Sequence, residues 1–463
     1  MKFIISLFIL FFFSVCENYE DQFNWSYAEK KWTEANMIEK KITGAAIVEK
    51  SFNVLDYKII PDGNTINTNL INNLIDTVSQ EGGGRINFPS GTYLTGGLIL
   101  KNNIEIHLEH DAILKFSQNP VDYTPNVIGH WEGMEINNFR AFIYSNGAEN
   151  IAITGNGILD GNAGWDNWWD WSKKNLHKLD KNRPRLMGYN RDQVDVSERN
   201  FGLGYNLRPN FIQLYKSKNI TIKDVTLKNS PMWNIHTVLS ENIIIDGVKI
   251  FAPYMSPNTD AIDLESSKNI IVKNCFIDVG DDCITIKSGR NQDGRRIDTA
   301  TENVIARNNI IKNGRGGLTI GSEISGGANN IFMEDCQINS KKLNRAFRIK
   351  SSEVRGGHVR NIFIRDVAID TVGGGPVLNI DLHYTVRDAE RDGILYLPKV
   401  ENVFIQDVQC NYAKQPLFLD GYQNSKINNI RLKNIFINDV FSPSHIKDVS
   451  NLFLEEFNIY NRK

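Results

Sequence analysis

Apolar and polar residues alternate in short runs along most of this chain, and the runs recur. From Asn103 onward a unit repeats: an asparagine, an apolar-polar-apolar run, then a second short strand. Clear copies are NITIKDVTLKNS, NIIIDGVKIFAP, NIIVKNCFIDVG and NIFIRDVAID. The leading asparagines are Asn103, Asn150, Asn219, Asn242, Asn269, Asn303, Asn330, Asn361, Asn402 and Asn429. A repeat of this size means a solenoid, and period-two alternation makes each coil β. The predicted fold is all-β, a right-handed parallel β-helix. The repeated asparagine is expected to stack at a corner and to bond the backbone of its own turn.

A further column of rungs aligns beside the first. It runs Ile262–Ser266, Ile284–Ser288, Leu318–Ser322, Phe347–Ser351 and Leu378–Leu382. The first and third positions of each rung are apolar and should point inward; the second and fourth should face solvent. Thr68–Gln80 breaks the pattern, with Leu70, Ile71, Leu74, Ile75 and Val78 at helical spacing and Gly82-Gly83-Gly84 after it. A helix there would cap the open end of the stack.

The N-terminus differs from the rest. Lys2 precedes an apolar run from Phe3 to Val15, then Cys16 and acidic residues. Residues 1–18 read as a secretory signal, with Cys16 a candidate for lipidation. Residues 19–50 read as a leader packed on the body, and residues 51–463 as one β-helical domain. No other segment is apolar enough to cross a membrane. The 463 residues carry a formal net charge of -2, which gives no sign of a nucleic-acid partner. The chain is expected to be exported, periplasmic or extracellular, and monomeric. Cys275, Cys283, Cys336 and Cys410 are widely spread in strand-like contexts, so they read as buried thiols; no pair has zinc spacing.

Two long insertions interrupt the stack, Gly161–Leu207 and Gly289–Thr301. Such loops usually wall a binding groove. The first holds four of the chain's eight tryptophans, Trp165, Trp168, Trp169 and Trp171. Stacking on sugar faces and packing against the helix both account for them.

The chemistry gathers in Ser256–Arg290. Aligning Ile262 with Ile284 puts Asp260 in the column of Asp282, and neighbouring rungs are roughly 4.8 Å apart. Asp281 stands next to them. Arg315 falls in the column of Asp281, and Arg348 and Lys350 lie two rungs on from Thr285 and Lys287. Three carboxylates with a basic flank suit acid/base work on a glycosidic bond: one protonated acid, one carboxylate to activate water. The bland reading is a solvated or metal-binding acidic patch.

Asn258-Thr-Asp260, Gly280-Asp-Asp282 and Arg348-Ile-Lys350 occur in that order. With RPNFIQLYKSKNITIKDVTLKNSPMWNIH, APYMSPNTD and GLTIGSEISGG they resemble glycoside hydrolase family 28, the polygalacturonase family, from about Phe52 to the last rungs. The resemblance implies that Asp281 is the general acid and that Asp260 and Asp282 hold and activate water. It implies that Arg348 and Lys350 bind the uronate carboxylate and that Asn258 orients the site. Arg315 and Tyr384 would also meet substrate, with His383 beside Tyr384. It implies inverting hydrolysis of α-1,4-galacturonosidic bonds in an acidic plant cell-wall polysaccharide, without cofactor or metal. RAFRIKSSEVRGGHVRNIFIRDV and LNIDLHY are most similar to bacterial members that trim chain ends, which implies exo action. Many members carry Gly-His-Gly where this chain has Gly314-Arg315-Gly316, and an arginine beside Asp281 favours its ionised form. The competing readings are a rhamnogalacturonan hydrolase, a pectate-lyase-like eliminase using Ca²⁺, and a non-catalytic pectin-binding β-helix.

Overall fold

The computed structural model describes residues 23–460 other than 174, 175 and 341. The export-signal reading of residues 1–18, with Cys16, lies outside the described residues. Thirty strands among the described residues form one continuous parallel assembly, and a separate antiparallel hairpin pairs Val127–Trp131 with Met134–Asn138. The middle coils contribute three short strands each, and in later coils these fuse into long ones such as His358–Asp381 and Lys399–Asp420, so parallel stacks wrap one core. The fold is a parallel β-helix.

The rung register is the one the alternation implies. Ile262 pairs with Ile284, Ile284 with Leu318, Leu318 with Phe347, and Phe347 with Leu378. Ile262, Leu264, Ile284, Ile286, Leu318 and Ile349 are buried inside the stack. Each such side chain contributes about 1.5–3 kcal/mol relative to leaving it in water. Cys275, Cys283, Cys336 and Cys410 are free and buried.

The asparagine column is a ladder, but its bonds differ from the expected ones. Asn103, Asn150, Asn219, Asn242, Asn269 and Asn303 all have φ between 52° and 60°. An asparagine tolerates that left-handed conformation better than most residues. Their amides bond one another rather than their own turn: Asn150 Nδ2 donates to Asn103 Oδ1 at 2.9 Å, and Asn303 Nδ2 to Asn269 Oδ1 at 3.0 Å. The parallel stack puts identical corners directly above one another, so the nearest acceptor is the neighbouring coil's side chain.

Helix α2 (Thr68–Gln80) sits where the apolar spacing puts it and buries Ile71, Leu74, Ile75 and Val78 against the first coils. Ahead of it, α1 (Trp25–Glu39) lies on the outside of the stack. Its Ala28, Trp32 and Ala35 pack on an outward row of apolar residues, Ile305, Phe332, Phe363 and Phe404, each from a different coil. Rings stack along that row, Phe332 on Phe363 at 5.0 Å and Phe363 on Phe404 at 5.3 Å. Among the described residues no helix is long and apolar enough to cross a membrane.

The insertions fold back over one face of the stack. The first supplies α3 (Asp170–Lys173) and α4 (Leu176–Arg191); the second supplies α5 (Asn291–Ile297). Leu186 and Met187 of α4 pack with Trp131 and Met134 of the hairpin and with Trp233. Trp168 is buried against Tyr123 and Phe142, at 5.5 and 5.7 Å, and Trp169 Nε1 donates to Ser230 O at 2.9 Å. The tryptophan cluster therefore fastens the insertion to the body.

Candidate active site

The covered face is the one carrying the aspartates. Its second and fourth rung positions were expected to face solvent, yet Asp263, Glu265, Thr285 and Lys287 are all buried. They do point outward from the stack, but the hairpin, α4, α5 and residues 384–396 form a roof above them. The result is a cavity of about 170 Å³. Asn258, Asp260, Asp281, Asp282, Arg315, Lys350 and Tyr384 line it. Arg348 stands beside it, its guanidinium 5.2 Å from the Tyr384 ring. His383 does not line it; it stacks on Tyr422 at 4.1 Å.

Backbone bonds between coils set the carboxylates in place. Ala261 N–H donates to Asp282 O at 3.0 Å, and Arg315 N–H to Asp281 O at 2.9 Å. The glycines flanking Arg315 are needed for this close approach. A Cβ on Gly314 would meet Cys283 Sγ at 2.3 Å, and one on Gly316 would come within 2.9 Å of Asp282 Oδ1. Below them Arg208 is buried and anchors Asn258: Nη2 donates to Asn258 Oδ1 at 2.9 Å, and Nη1 to Pro257 O at 2.7 Å. Burial brings the Arg208 guanidinium down to about 10.

Oxygens of Asp260, Asp281 and Asp282 lie within 4.8 Å of one another. That spacing could bracket a cation or a water. Lys350 already neutralises one member, with Nζ 2.7 Å from Asp282 Oδ2, and Arg348 Nη1 is 3.9 Å from Asp282 Oδ1. Burial pushes the Asp282 carboxyl up, but Lys350 and Arg348 outweigh it and hold it at about 2. Asp281 moves the other way: burial and the adjacent Asp282 raise it, against Arg315, whose Nε is 3.6 Å from Asp281 Oδ2. Burial, then the charges of Asp281 and Asp263, push Asp260 well above the ordinary carboxylate range. One carboxylate is thus firmly ionised while two retain protons more readily. Asp281, the most exposed of the three at 9%, is the better placed to reach a substrate oxygen.

Several lining residues went unassigned in the sequence. Lys287 is buried with Nζ 3.0 Å from Glu323 Oε2, 3.5 Å from Asp263 Oδ1 and 4.5 Å above the Trp233 ring. Its place at a fourth rung position was visible, and a charge there is the signal that could have found it. Glu132, Arg183, Arg290, Arg387 and Glu390 also line the cavity. Of these, Glu132, Arg183, Arg387 and Glu390 come from segments with no rung periodicity. None of the four clustered tryptophans lines it.

The family model for glycosyl hydrolases family 28 matches residues 197–454. A probable polygalacturonase from Vitis vinifera is 30% identical over 405 residues, covering 84% of this chain and 74% of that protein. An exo-poly-alpha-D-galacturonosidase from Dickeya chrysanthemi is 26% identical over 451 residues, 90% of this chain and 72% of that one. Among solved structures, a hyperthermoactive exopolygalacturonase from Thermotoga maritima superposes with a TM-score of 0.83 at 34% identity, covering 91% of this chain and 96% of the other. Two independent kinds of likeness thus span most of the coil stack and its carboxylates, and the chain belongs to glycosyl hydrolases family 28.

Proposed function

We propose that this enzyme hydrolyses α-1,4-galacturonosidic bonds of pectin-type chains by inversion, working from chain ends. The asymmetry among the three carboxylates carries the reading: a raised Asp281 and a depressed Asp282, beside Lys350 and Arg348. The Asp281 carboxyl gives its proton to the glycosidic oxygen as the bond to the anomeric carbon breaks. Asp282 takes a proton from the water that attacks that carbon from the opposite face, and Asp260 helps hold the water. Lys350, Arg348 and Arg315 meet the uronate carboxylate, and Asn258, fixed by Arg208, orients the site. The carboxylate spacing is shorter than the roughly 6.5–9.5 Å usual for inverting enzymes. The anomer formed first, read by proton NMR, therefore tests inversion directly.

End-on attack is supported by the small, walled cavity and by the exo-acting Dickeya and Thermotoga relatives. The substrate is an acidic plant cell-wall polymer or its fragments, met outside the cytoplasm, which suits an export signal in residues 1–18. Peptide mass spectrometry of the mature N-terminus tests export and any lipid on Cys16.

The decisive experiment sizes products from oligogalacturonides, with a rhamnogalacturonan control. Monomer alone at early times is expected, and a ladder of sizes would refute exo action. Asp281→Asn should lower kcat by about 10²–10⁴-fold, the usual scale of general acid catalysis, with substrate binding retained. Unchanged turnover would remove Asp281 from its role. Ultraviolet-absorbing unsaturated products, lost on chelation, would replace hydrolysis by elimination.

A further inference from the structure

Beside the cavity lies a buried chain of ionisable groups that the acid/base chemistry does not use. His130 belongs to the hairpin; Glu265 and His236 belong to neighbouring rungs, and all three are buried. Glu265 sits between the two imidazoles. Its Oε1 is 3.0 Å from His130 Nδ1, and its Oε2 is 2.7 Å from His236 Nε2.

The hydrogen bonds decide which imidazole can carry charge. Gln213 Oε1 accepts from His130 N–H at 3.3 Å, and Gln213 Nε2 donates to His130 O at 2.8 Å, so the backbone sets the orientation of that amide. The same Nε2 is 2.9 Å from His236 Nδ1, which must therefore accept and carry no proton. His236 is then neutral and donates its Nε2 proton to Glu265. Among the described residues, the His130 imidazole is the one remaining group in contact with the Glu265 carboxylate that can balance its charge.

The other charges facing His130 are already matched. Glu135 Oε1, on the hairpin, is 4.0 Å from His130 Nε2, and Glu135 pairs with Arg296. Asp293 of α5 pairs with Arg199 at 2.5 Å and with Arg296 at 3.3 Å. Tyr215, its ring 5.6 Å from that of His130, donates to Glu135 at 2.8 Å. Lys287, on the rung beside Glu265, is taken up by Glu323 and Asp263. Burial pushes the His130 imidazole down, but Glu265, with Glu135 and Asp293, outweighs burial and raises it. Burial lowers His236 by more than Glu265 restores, in keeping with its accepting nitrogen.

The trio joins separate parts of the cavity. After His130 come Trp131, whose Nε1 donates to Arg208 O at 3.0 Å, and Glu132, which lines the cavity and accepts from Arg183 and Arg290. On the other side His236 meets the Trp233 ring edge-on at 4.8 Å, and Trp233 also lines the cavity.

We propose that His130 and Glu265 are positioning residues, an imidazolium–carboxylate clasp that fastens the hairpin to the rung and holds the Glu132 turn over the substrate. The clasp works only while His130 keeps its proton. A folded value raised above the ordinary 6.5 means that the hold is complete below 6.5 and is lost as pH rises through the folded value. The roof is therefore firm in acidic solution and loosens in alkaline solution, and substrate affinity falls with it. The effect on affinity rests on the galacturonan reading of the cavity; the clasp itself does not.

Hydrogen exchange of the wild-type protein from pH 5 to 9, corrected for the intrinsic effect of pH on amide exchange, tests the clasp without substrate. Peptides within Val127–Asn138 should lose protection about ten-fold across the His130 titration while the coils keep theirs, the scale of one charge-assisted hydrogen bond. Equal behaviour of hairpin and coils overturns the clasp. The link to substrate is read by calorimetric binding of trigalacturonate to the Asp281→Asn enzyme, in which residue 281 no longer titrates. Affinity should fall about ten-fold as the pH rises past the His130 value. His130→Asn in the same background keeps a neutral donor near the Nδ1 position and should show the weaker affinity even at acidic pH. Adding Glu265→Gln removes the unbalanced buried charge and should restore part of the loss. A pH profile that His130→Asn leaves unchanged overturns the positioning role. Failure of trigalacturonate to bind at any pH would sink the galacturonan reading instead, and the exchange result would still decide the clasp.

Discussion

Lys350→Met removes the closest counter-charge of a buried carboxylate. In the wild type, Asp282 is 1% exposed and is held at about 2 against an ordinary 3.8. That depression corresponds to about 2 kcal/mol of preference for the charged, folded form. Breaking a buried pair typically costs about 3–5 kcal/mol. Arg348 Nη1, 3.9 Å away, remains as a partial substitute. The expected loss is therefore about 2–3 kcal/mol at pH 7. The depressed pKa also fixes the pH dependence. The wild-type contribution is present above 3.8 and is lost as pH falls through about 2. In the variant, burial of Asp282 is less opposed, so the deficit is full at neutral pH and shrinks once Asp282 is protonated in both states. Denaturant midpoints at pH 7, 5 and 3.5 measure it, and the double variant with Asp282→Asn should regain more than half of the loss. No deficit at pH 7, or one of equal size at pH 3.5, would refute the assignment of Asp282 as a carboxylate held ionised by Lys350.

Three further outcomes follow from the same geometry. Arg315→Gln removes the cation that favours ionised Asp281, so the alkaline limb of kcat/KM should move to higher pH; a move to lower pH would contradict the pairing. Trp32→Ala deletes the ring that packs on Phe332 at 5.1 Å and under Arg365 at 4.1 Å. A buried tryptophan truncation costs about 3–5 kcal/mol, enough to release α1, so limited proteolysis should cut within Trp25–Glu39 while the coils stay intact. At Asn303, with φ 56°, alanine should cost about 1–2 kcal/mol more than glycine in denaturant unfolding; equal losses would mean that the amide ladder alone, not the backbone conformation, fixes the corner.

The parallel stack made the heart of the site legible. Every coil repeats the register of the last, so an offset of 22 residues put Asp260 over Asp282, and one of 34 put Arg315 over Asp281. The backbone bonds confirm both columns. The roof was not legible. The hairpin at Val127–Trp131, helix α4 and residues 384–396 have no coil period, so nothing in the alternation said where they would land. For that reason the outward charges at Asp263, Glu265 and Lys287 read as solvated when they are buried. The docking row for α1 did leave a trace. In NIFMED, NIFIRD and NVFIQD an apolar residue occupies the outward position where alternation calls for a polar one, and those residues are Phe332, Phe363 and Phe404. The asparagine ladder was placed correctly but given the wrong acceptor, because sequence shows a corner without showing what lies above it.

Helix α1 changes how such a stack can come apart. A coil in a solenoid touches only the coils beside it, so the array can open one unit at a time from a free end. By gripping Ile305, Phe332, Phe363 and Phe404 together, α1 ties four successive coils into a single mechanical unit. That unit includes the coils bearing Arg315, Arg348 and Lys350, so opening near the C-terminal edge must dislodge the whole clasp before it can loosen the cation wall.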